Sequence, residues 1–186
     1  AELDAAHVPQ WFIDSCLKIG YLFPRAHAVA YVMMAFRIAW FKVYQPLAYY
    51  AAYFTIRAEG SFNAPVILKG LESQKAELAR IAALEHSTAV EKGNATVIEV
   101  AAEMYLRGME FLPIDLDRSD ASEFKMVDGK LLPPFNCIPA LGDAVAKEIV
   151  RARDEHLFTS KEDLKKRGKV SQSIIDTMDS MGILKN

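Results

Sequence analysis

Two cationic side chains and a phenol ring are spaced along the start of a long apolar segment, in the stretch YLFPRAHAVAY. Pro24 suits the first turn of a helix, and Arg25 and His27 lie in that turn, where the helix dipole favours carboxylates instead. Free N–H groups at a helix start bind phosphate, so cations at that end favour an anion in front of it. Tyr31 lies one turn further on the same face, placed to stack on a base or sugar. Spacing alone favours the alternative, in which His27 and Tyr31 are merely the polar end of a core stripe.

A second pattern capable of binding a phosphate is IPALGDAVAKEIVRAR, residues 138–153, which follows the helix-hairpin-helix pattern. Ile138 is an apolar anchor, residues 139–142 form a tight turn, and Gly142 allows close approach of a phosphate to the next N–H groups. Such contacts hold duplex without reading its sequence. The inward positions of the helix are Val145, Ala146, Ile149 and Val150, and its basic residues are predicted to point outward. The predicted DNA-binding residues are Leu141, Gly142, Ala144, Lys147, Arg151 and Arg153. The alternative is a plain helical turn that contains a glycine, and the agreement over sixteen positions favours the DNA-binding interpretation.

These two patterns must be positioned by mostly helical elements. Apolar periodicity predicts helices over residues 9–19, 24–45, 47–59, 66–85 and 96–108, with Gly93-Asn94 separating the last two. Short apolar pieces around an Asp128-Gly129 turn predict two or three strands, including a hairpin formed by residues 124–127 and 130–132. Three short helices follow, the last with Ser171 as its N-cap. We therefore expect a mainly α (α+β) chain with two domains, residues 1–112 and 113–186.

Composition and charge exclude several classes of protein. Hydrophobic residues make up 52% of the 186 and charged residues 25%, which excludes disorder over most of the chain. A net charge of −2 excludes a globally basic nucleic-acid binder, so any such binding must be local. The two cysteines, Cys16 and Cys137, lack ligand spacing, which argues against zinc and for a reducing cytoplasm. The N-terminus has no pattern of an export signal, and we expect a cytoplasmic location.

The run AVAYVMMAFRIAWF raises the question of a membrane span. Arg37 and Lys42 interrupt this segment, and Pro46 ends it short of the roughly 20 apolar residues that a span requires. We therefore expect a buried core helix and no membrane partner. The sequence also lacks a paired-Asp strand, a Walker loop, a GxSxG motif and a metal-ligand cluster.

The segments YLFPRAHAVAYVMMAFRIAWFKVYQPLAYYAAYFTIRAE, PPFNCIPALGDAVAKEIVRARDE and FTSKEDLKKRGKVSQSIIDTMDSMGIL together resemble the C-terminal part of the bacterial replicative DNA polymerase III alpha subunit of the PolC type, a family C polymerase. The resemblance extends from about Pro9 to Leu184. It implies a helical fingers segment followed by a duplex-binding region with helix-hairpin-helix elements. It also implies that Arg25 and His27 contact the incoming triphosphate and that Tyr31 lines the nascent base pair.

The resemblance implies further properties of a longer parent protein. That protein would be a DNA-directed DNA polymerase whose palm carboxylates hold Mg²⁺, with primer–template duplex, dNTP and the remaining polymerase chain as partners. Those carboxylates are not in this chain, so we expect no cofactor in it and no activity from it alone. The family more often has Lys at the position of Arg25, and Gly at the position of Ala140. Relatives carry a C-terminal peptide that binds the sliding clamp, and this sequence is expected to lack it.

Two other functions fit the same residues. One is a non-enzymatic helix-hairpin-helix module that binds DNA, and the other is a purely structural interaction domain. The two interpretations that involve DNA binding differ at Arg25, His27 and Tyr31, which contact a nucleotide only in a polymerase.

Overall fold

The computed structural model describes residues 8–20, 24–57 and 60–184, and contacts along the chain divide it into two units, residues 1–40 and residues 41–186. The first unit contains helix α1, Gln10–Leu17, and most of helix α2, Arg25–Tyr44. Both helices lie where apolar periodicity predicts them. Neither has a buried residue among those described.

Helix α2 is apolar around its whole circumference and exposed along its length. Phe36 is 73% exposed, and Trp40 and Val32 are more than half exposed. The expectation of a buried core helix is therefore wrong for this chain, because none of the described residues of α2 is buried. By length and composition α2 could cross a membrane, but a single such helix near an N-terminus is weak evidence, since core helices and signal sequences meet the same criteria.

The second unit begins with the last turn of α2, which is tied to a later helix. The helices of this unit's first half are α3 (Pro46–Arg57), α4 (Ala64–Ile67), α5 (Leu71–Ala82) and α6 (Ala89–Leu106). Lys42 Nζ lies 2.8 Å from a carboxylate oxygen of Glu103 on α6, and this hydrogen bond raises the pKa of Lys42. Arg107, just after α6, donates to the Lys42 carbonyl at 2.8 Å and to the Tyr50 hydroxyl at 3.1 Å. The end of α2 is thus fixed to α6 from two sides.

The break predicted at Gly93-Asn94 is wrong, because both residues lie inside α6. A capping box starts this helix earlier: the Thr88 hydroxyl accepts from the Glu91 N–H, and the Glu91 carboxylate accepts from the Thr88 N–H. A glycine inside a helix costs about 1 kcal/mol. A Cβ at residue 93 would make a tight contact, because it would lie 3.3 Å from Ser61 Oγ.

The predicted hairpin is confirmed. Strands β1, Lys125–Val127, and β2, Lys130–Leu132, pair antiparallel, with Val127 opposite Lys130. Asp128 and Gly129 have φ values of 51° and 76°, the left-handed values that a two-residue hairpin turn requires. An isolated parallel bridge joins Phe111 to Leu131. The prediction of a mainly helical chain with a short hairpin is therefore correct.

The rest of the second unit is helical. It consists of a 3₁₀ turn at Phe135–Cys137 and the helices α7 (Asp143–Glu155), α8 (Lys161–Arg167) and α9 (Gln172–Ser180). Ser160 caps α8 and Ser171 caps α9, as the sequence predicts for Ser171.

One hydrophobic core runs through this unit. It includes a cluster of aromatic rings with centroids 5.1 to 6.0 Å apart, formed by Phe54, Phe62, Phe111 and Phe124. Ile149 on α7 and Met178 on α9 belong to the same core. The boundary predicted between residues 112 and 113 therefore lies inside this unit, and the division into two functional regions stays a prediction.

Candidate nucleic-acid interface

The hairpin before α7 is built around a tight turn. Leu141 donates its N–H to the carbonyl of Ile138 at 3.1 Å, and Ala140 has a φ of 63°. Proline at the second position and a positive φ at the third are typical of a type II turn, where glycine is the favoured third residue. Ala140 therefore adopts a conformation that its Cβ disfavours. Ile138 and Leu141 are buried and hold the turn against the core.

The start of α7 has no side-chain cap. Gly142 is the N-cap residue, and its carbonyl accepts from Val145 and Ala146 at 3.0 Å each. Within the described part of the chain, the N–H groups of Gly142, Asp143 and Ala144 donate to no protein acceptor. A Cβ built at residue 142 would meet nothing within 4 Å. Three N–H donors without a described protein acceptor thus lie at the exposed, positive end of a helix dipole, which is an arrangement that binds phosphate.

One carboxylate lies close to these donors. Asp143 occupies the first turn of α7, and its Oδ1 accepts from Asn136 Nδ2 at 3.0 Å. This contact holds the carboxylate against the 3₁₀ turn, so that it does not cap the helix. Its negative charge nevertheless opposes an anion at the same helix end.

The exposed cations of α7 differ in how far their charges are neutralised. Arg151 donates to both oxygens of Glu148, at 3.0 and 2.8 Å, and also contacts Glu155. Lys169 approaches the same Glu148 at 3.0 Å. Hydrogen bonds from Arg151 and Lys169 hold the pKa of Glu148 at about 2. Lys147, by contrast, is exposed and makes no ion pair or hydrogen bond with any described residue.

Arg153 does not point outward, and its predicted orientation toward DNA is wrong. The side chain is only 9% exposed and donates to the carbonyl of Ser119 at 2.5 Å, with Asp154 as its ionic partner at 3.1 Å. The spacing of the residues indicates this burial. Residue 153 follows Ala146 by seven positions and Ile149 by four, which places it on the buried face of the helix.

The basic run KKRGK, residues 165–169, is also partly structural. Arg167 donates to the carbonyls of Ala152 and His156 near the end of α7, pairs with Asp163 at 3.0 Å, and lies over the ring of Phe158. These contacts secure the C-terminal end of α7, where cations are favoured. Only the pairing with Asp163, four residues earlier, was visible in the sequence.

The second predicted site lies at the start of α2. Arg25, His27 and Tyr31 are all exposed, and no acidic residue lies in the first turn of the helix. The rings of His27 and Tyr31 contact each other edge to face, with centroids 4.4 Å apart. Tyr31 is 65% exposed, so its ring is available to a ligand. The structure thus places the two rings one turn apart, as their spacing predicts, and a role in nucleotide binding stays a prediction.

Comparison with known proteins agrees with the hairpin geometry. A family model described as the helix-hairpin-helix motif matches residues 108–186. The chain is 51% identical to the DNA polymerase III PolC-type of Thermotoga maritima over 99% of its own length, and 52% identical to that of Listeria monocytogenes over 97%. It belongs to the PolC-type DNA polymerase III family. The PolC-type protein of Clostridium perfringens is 49% identical over 96% of the chain.

The chain spans only 12 to 13% of the length of these PolC-type relatives. It therefore corresponds to one segment of these much longer proteins, as the resemblance implies. The resemblance to PolC is confirmed over almost the whole chain.

Proposed function

We propose that this chain is the part of a replicative DNA polymerase that holds the primer–template duplex and helps position the incoming deoxynucleoside triphosphate. The observation that carries the proposal is the uncapped start of α7 beside the unpaired cation Lys147, within the region that matches the helix-hairpin-helix motif. Water satisfies exposed N–H donors at any helix start, so these donors support the proposal only together with the unpaired Lys147 and the match to the helix-hairpin-helix motif.

In this proposal the hairpin binds the sugar-phosphate backbone. A phosphate accepts hydrogen bonds from the N–H groups of Gly142, Asp143 and Ala144, and Lys147 adds a positive charge one turn further along α7. Leu141 is buried and fixes the turn that orients these donors. Because all of these contacts go to the backbone, binding is independent of DNA sequence and weakens with salt. Arg151 contributes less, since Glu148 and Glu155 neutralise it.

The start of α2 would bind the incoming nucleotide. The planar guanidinium of Arg25 forks to two phosphate oxygens, and His27 adds a donor in the same turn. Tyr31 then lies one turn along, where its exposed ring stacks on a base or sugar. The absence of acidic residues in the first turn of α2 supports this role, because a carboxylate there would repel the triphosphate.

Primer extension is a phosphoryl transfer assisted by Mg²⁺ that carboxylates hold. Among the residues that the structure describes, no three of the types His, Cys, Asp or Glu form a group that could bind a metal ion. Residues elsewhere in the polymerase would therefore hold Mg²⁺, and the remainder of that chain, in the cytoplasm, would cover the exposed α2. We expect the isolated chain to incorporate no nucleotide on a primer–template with Mg²⁺, and measurable incorporation would contradict this assignment.

The hairpin is tested with Gly142→Asp. An Asp N-cap fits the open space at residue 142, satisfies the N–H donors that would otherwise bind phosphate, and adds a negative charge. We expect the variant to be at least as stable as the parent chain and to bind a fluorescent blunt duplex at least about tenfold more weakly at about 50 mM salt. Ala79→Asp, on the exposed face of α5, makes the same charge change away from the hairpin and should bind as the parent does. Equal binding by both variants would exclude phosphate capture at this turn.

The nucleotide site is tested with Arg25→Ala in the full-length polymerase. If Arg25 binds the triphosphate, the KM for dNTP rises in this variant while the Kd for primer–template stays constant. If the chain is only a DNA-binding or structural module, neither quantity changes.

A further inference from the structure

A cavity of about 490 Å³ lies next to the hairpin and has no role in the contacts described so far. It is a partly open pocket, which we refer to as the hairpin cavity, and it is lined by the 3₁₀ turn and the hairpin turn, the loop of residues 60–63, the end of α3, residues 122 and 124 and one residue of α6. Its volume falls within the roughly 300–1,000 Å³ of small-molecule sites. Its polar lining consists mainly of Ser61, Asn63, Asn94, Ser122 and Asn136.

Four of these polar side chains have no protein partner. Within the described ranges, the side chains of Ser61, Asn63, Asn94 and Ser122 form no hydrogen bond, although all four are partly buried. Asn136 differs, because its amide is committed to Asp143. Amides and hydroxyls each offer both a donor and an acceptor. The hairpin cavity therefore presents several uncommitted donors and acceptors, and its described lining carries no charged side chain.

The inner wall of the hairpin cavity is aromatic and rigid. Phe54, Phe62 and Phe124 pack against one another with ring centroids 5.1 to 5.7 Å apart, and each is at least 92% buried. The Thr55 hydroxyl accepts from the N–H of Phe124 at 3.0 Å, which fixes this wall to α3. The hairpin cavity thus combines aromatic carbon atoms with side-chain amides and hydroxyls, groups that contact and hydrogen-bond a nucleobase.

The hairpin cavity is continuous with the proposed phosphate contact. Gly142, the N-cap of α7, also lines the cavity, as do Ala140 and Leu141 of the turn. A phosphate held at the start of α7 thus has its own sugar and base at the cavity opening. Bases of a duplex are stacked and paired, and removing one costs a few kcal/mol. The cavity is therefore suited to a nucleotide that is already unpaired.

We propose that the hairpin cavity binds one unpaired nucleoside unit, the base and sugar of a nucleotide whose phosphate lies on the hairpin. The proposal rests on the proposed function, because the hairpin must first hold a DNA strand. It extends that function from holding duplex to recognising the junction between duplex and single strand. The uncharged lining of the hairpin cavity contacts the base and sugar, and the N–H groups at the start of α7 bind the negatively charged phosphate.

The test compares two alanine variants on α6. Asn94→Ala removes an amide from the hairpin cavity and suits the helix interior, while Thr96→Ala is the matched control on the exposed part of the same helix. We expect Asn94→Ala to weaken binding of a duplex with a short single-stranded overhang about fivefold, the loss that one net hydrogen bond corresponds to. Binding of a blunt duplex should not change, and Thr96→Ala should match the parent chain in both assays.

Two further experiments test which part of the nucleotide the hairpin cavity binds. An overhang of abasic nucleotides should bind the parent chain at least as weakly as the normal overhang binds Asn94→Ala. Competition by free dAMP would indicate that the hairpin cavity takes free nucleotides as well, whereas failure to compete would indicate that it takes only a nucleotide within a strand. If Asn94→Ala binds the normal overhang as tightly as the parent does, the cavity does not bind a nucleoside. Weaker binding of blunt duplex by Gly142→Asp alongside that result would leave the proposed function intact.

Discussion

Replacing Arg153 with Met tests whether the buried cation of α7 supports the fold and has no part in DNA binding. Arg153 donates to the Ser119 carbonyl at 2.5 Å and pairs with Asp154, and it is 9% exposed. Met keeps most of the apolar stem but removes a charged hydrogen bond, worth about 1.5–3 kcal/mol, and leaves a buried carbonyl unpaired at a further cost of about 1–3 kcal/mol. We estimate a loss of about 3 kcal/mol in the free energy of unfolding. For a chain of this size that corresponds to a fall in Tm of about 6–12 °C.

The assay pairs thermal unfolding with duplex titration across salt concentrations, and Lys147→Met is the matched control. Lys147 is exposed and unpaired, so its loss should leave Tm almost unchanged. If Lys147 contacts a phosphate, the slope of log Kd against log salt should fall by about 0.9. At a temperature where it is folded, Arg153→Met should keep the slope of the parent chain. The reasoning is refuted if Arg153→Met leaves Tm unchanged and lowers the salt slope, because Arg153 would then act as a DNA contact.

Three other changes have expected outcomes. Glu148→Gln releases Lys169 from its ion pair, so duplex affinity should rise. The ion pairs of Glu148 lower its pKa from 4.5 to about 2, so they stabilise the fold fully above pH 4.5, and this stabilisation is lost as the pH falls toward 2. The Tm of Glu148→Gln should therefore differ most from that of the parent at neutral pH, and the difference should disappear as the pH falls from 4.5 to about 2. Gly168→Ala should lower Tm by several degrees, since its Cβ would lie 2.8 Å from the Leu164 carbonyl oxygen, and an unchanged Tm would mean that the turn moves freely. Ala140→Gly should raise stability by up to about 1 kcal/mol in denaturant titration, because it relieves a φ of 63°, and a loss of stability would show that the entropy of glycine dominates.

The elements that sequence predicted best are those with a strong local signal. The Asp128-Gly129 turn specifies its hairpin because both residues tolerate positive φ, and the apolar stripe of α7 predicts which of its faces is buried. The break predicted at Gly93 is wrong because, although glycine often interrupts helices, the capping box at Thr88 starts the helix earlier and the helix continues through residue 93. The tight contact that a Cβ at residue 93 would make with Ser61 Oγ involves a loop more than thirty residues away in the sequence.

In the candidate sites too, local features could be predicted from the sequence and features that depend on tertiary packing could not. The turn at residues 138–142 and the adjacency of His27 and Tyr31 followed from spacing within a single helix or turn. The neutralisation of Lys169 did not, because Lys169 meets Glu148 only once α8 has packed against α7. The hairpin cavity was also invisible in the sequence, since its walls come from segments between residues 54 and 142 that no local pattern connects.

The most direct test of the phosphate contact is a ¹⁵N–¹H correlation spectrum of the chain during titration with a short blunt duplex. The amides of Gly142, Asp143 and Ala144 donate to no described protein acceptor, so a phosphate bound there should shift them strongly. We predict that these three amides show the largest changes and that Gly142→Asp abolishes them. Large shifts confined to other parts of the chain, with residues 142–144 unchanged at saturating duplex, would contradict the account.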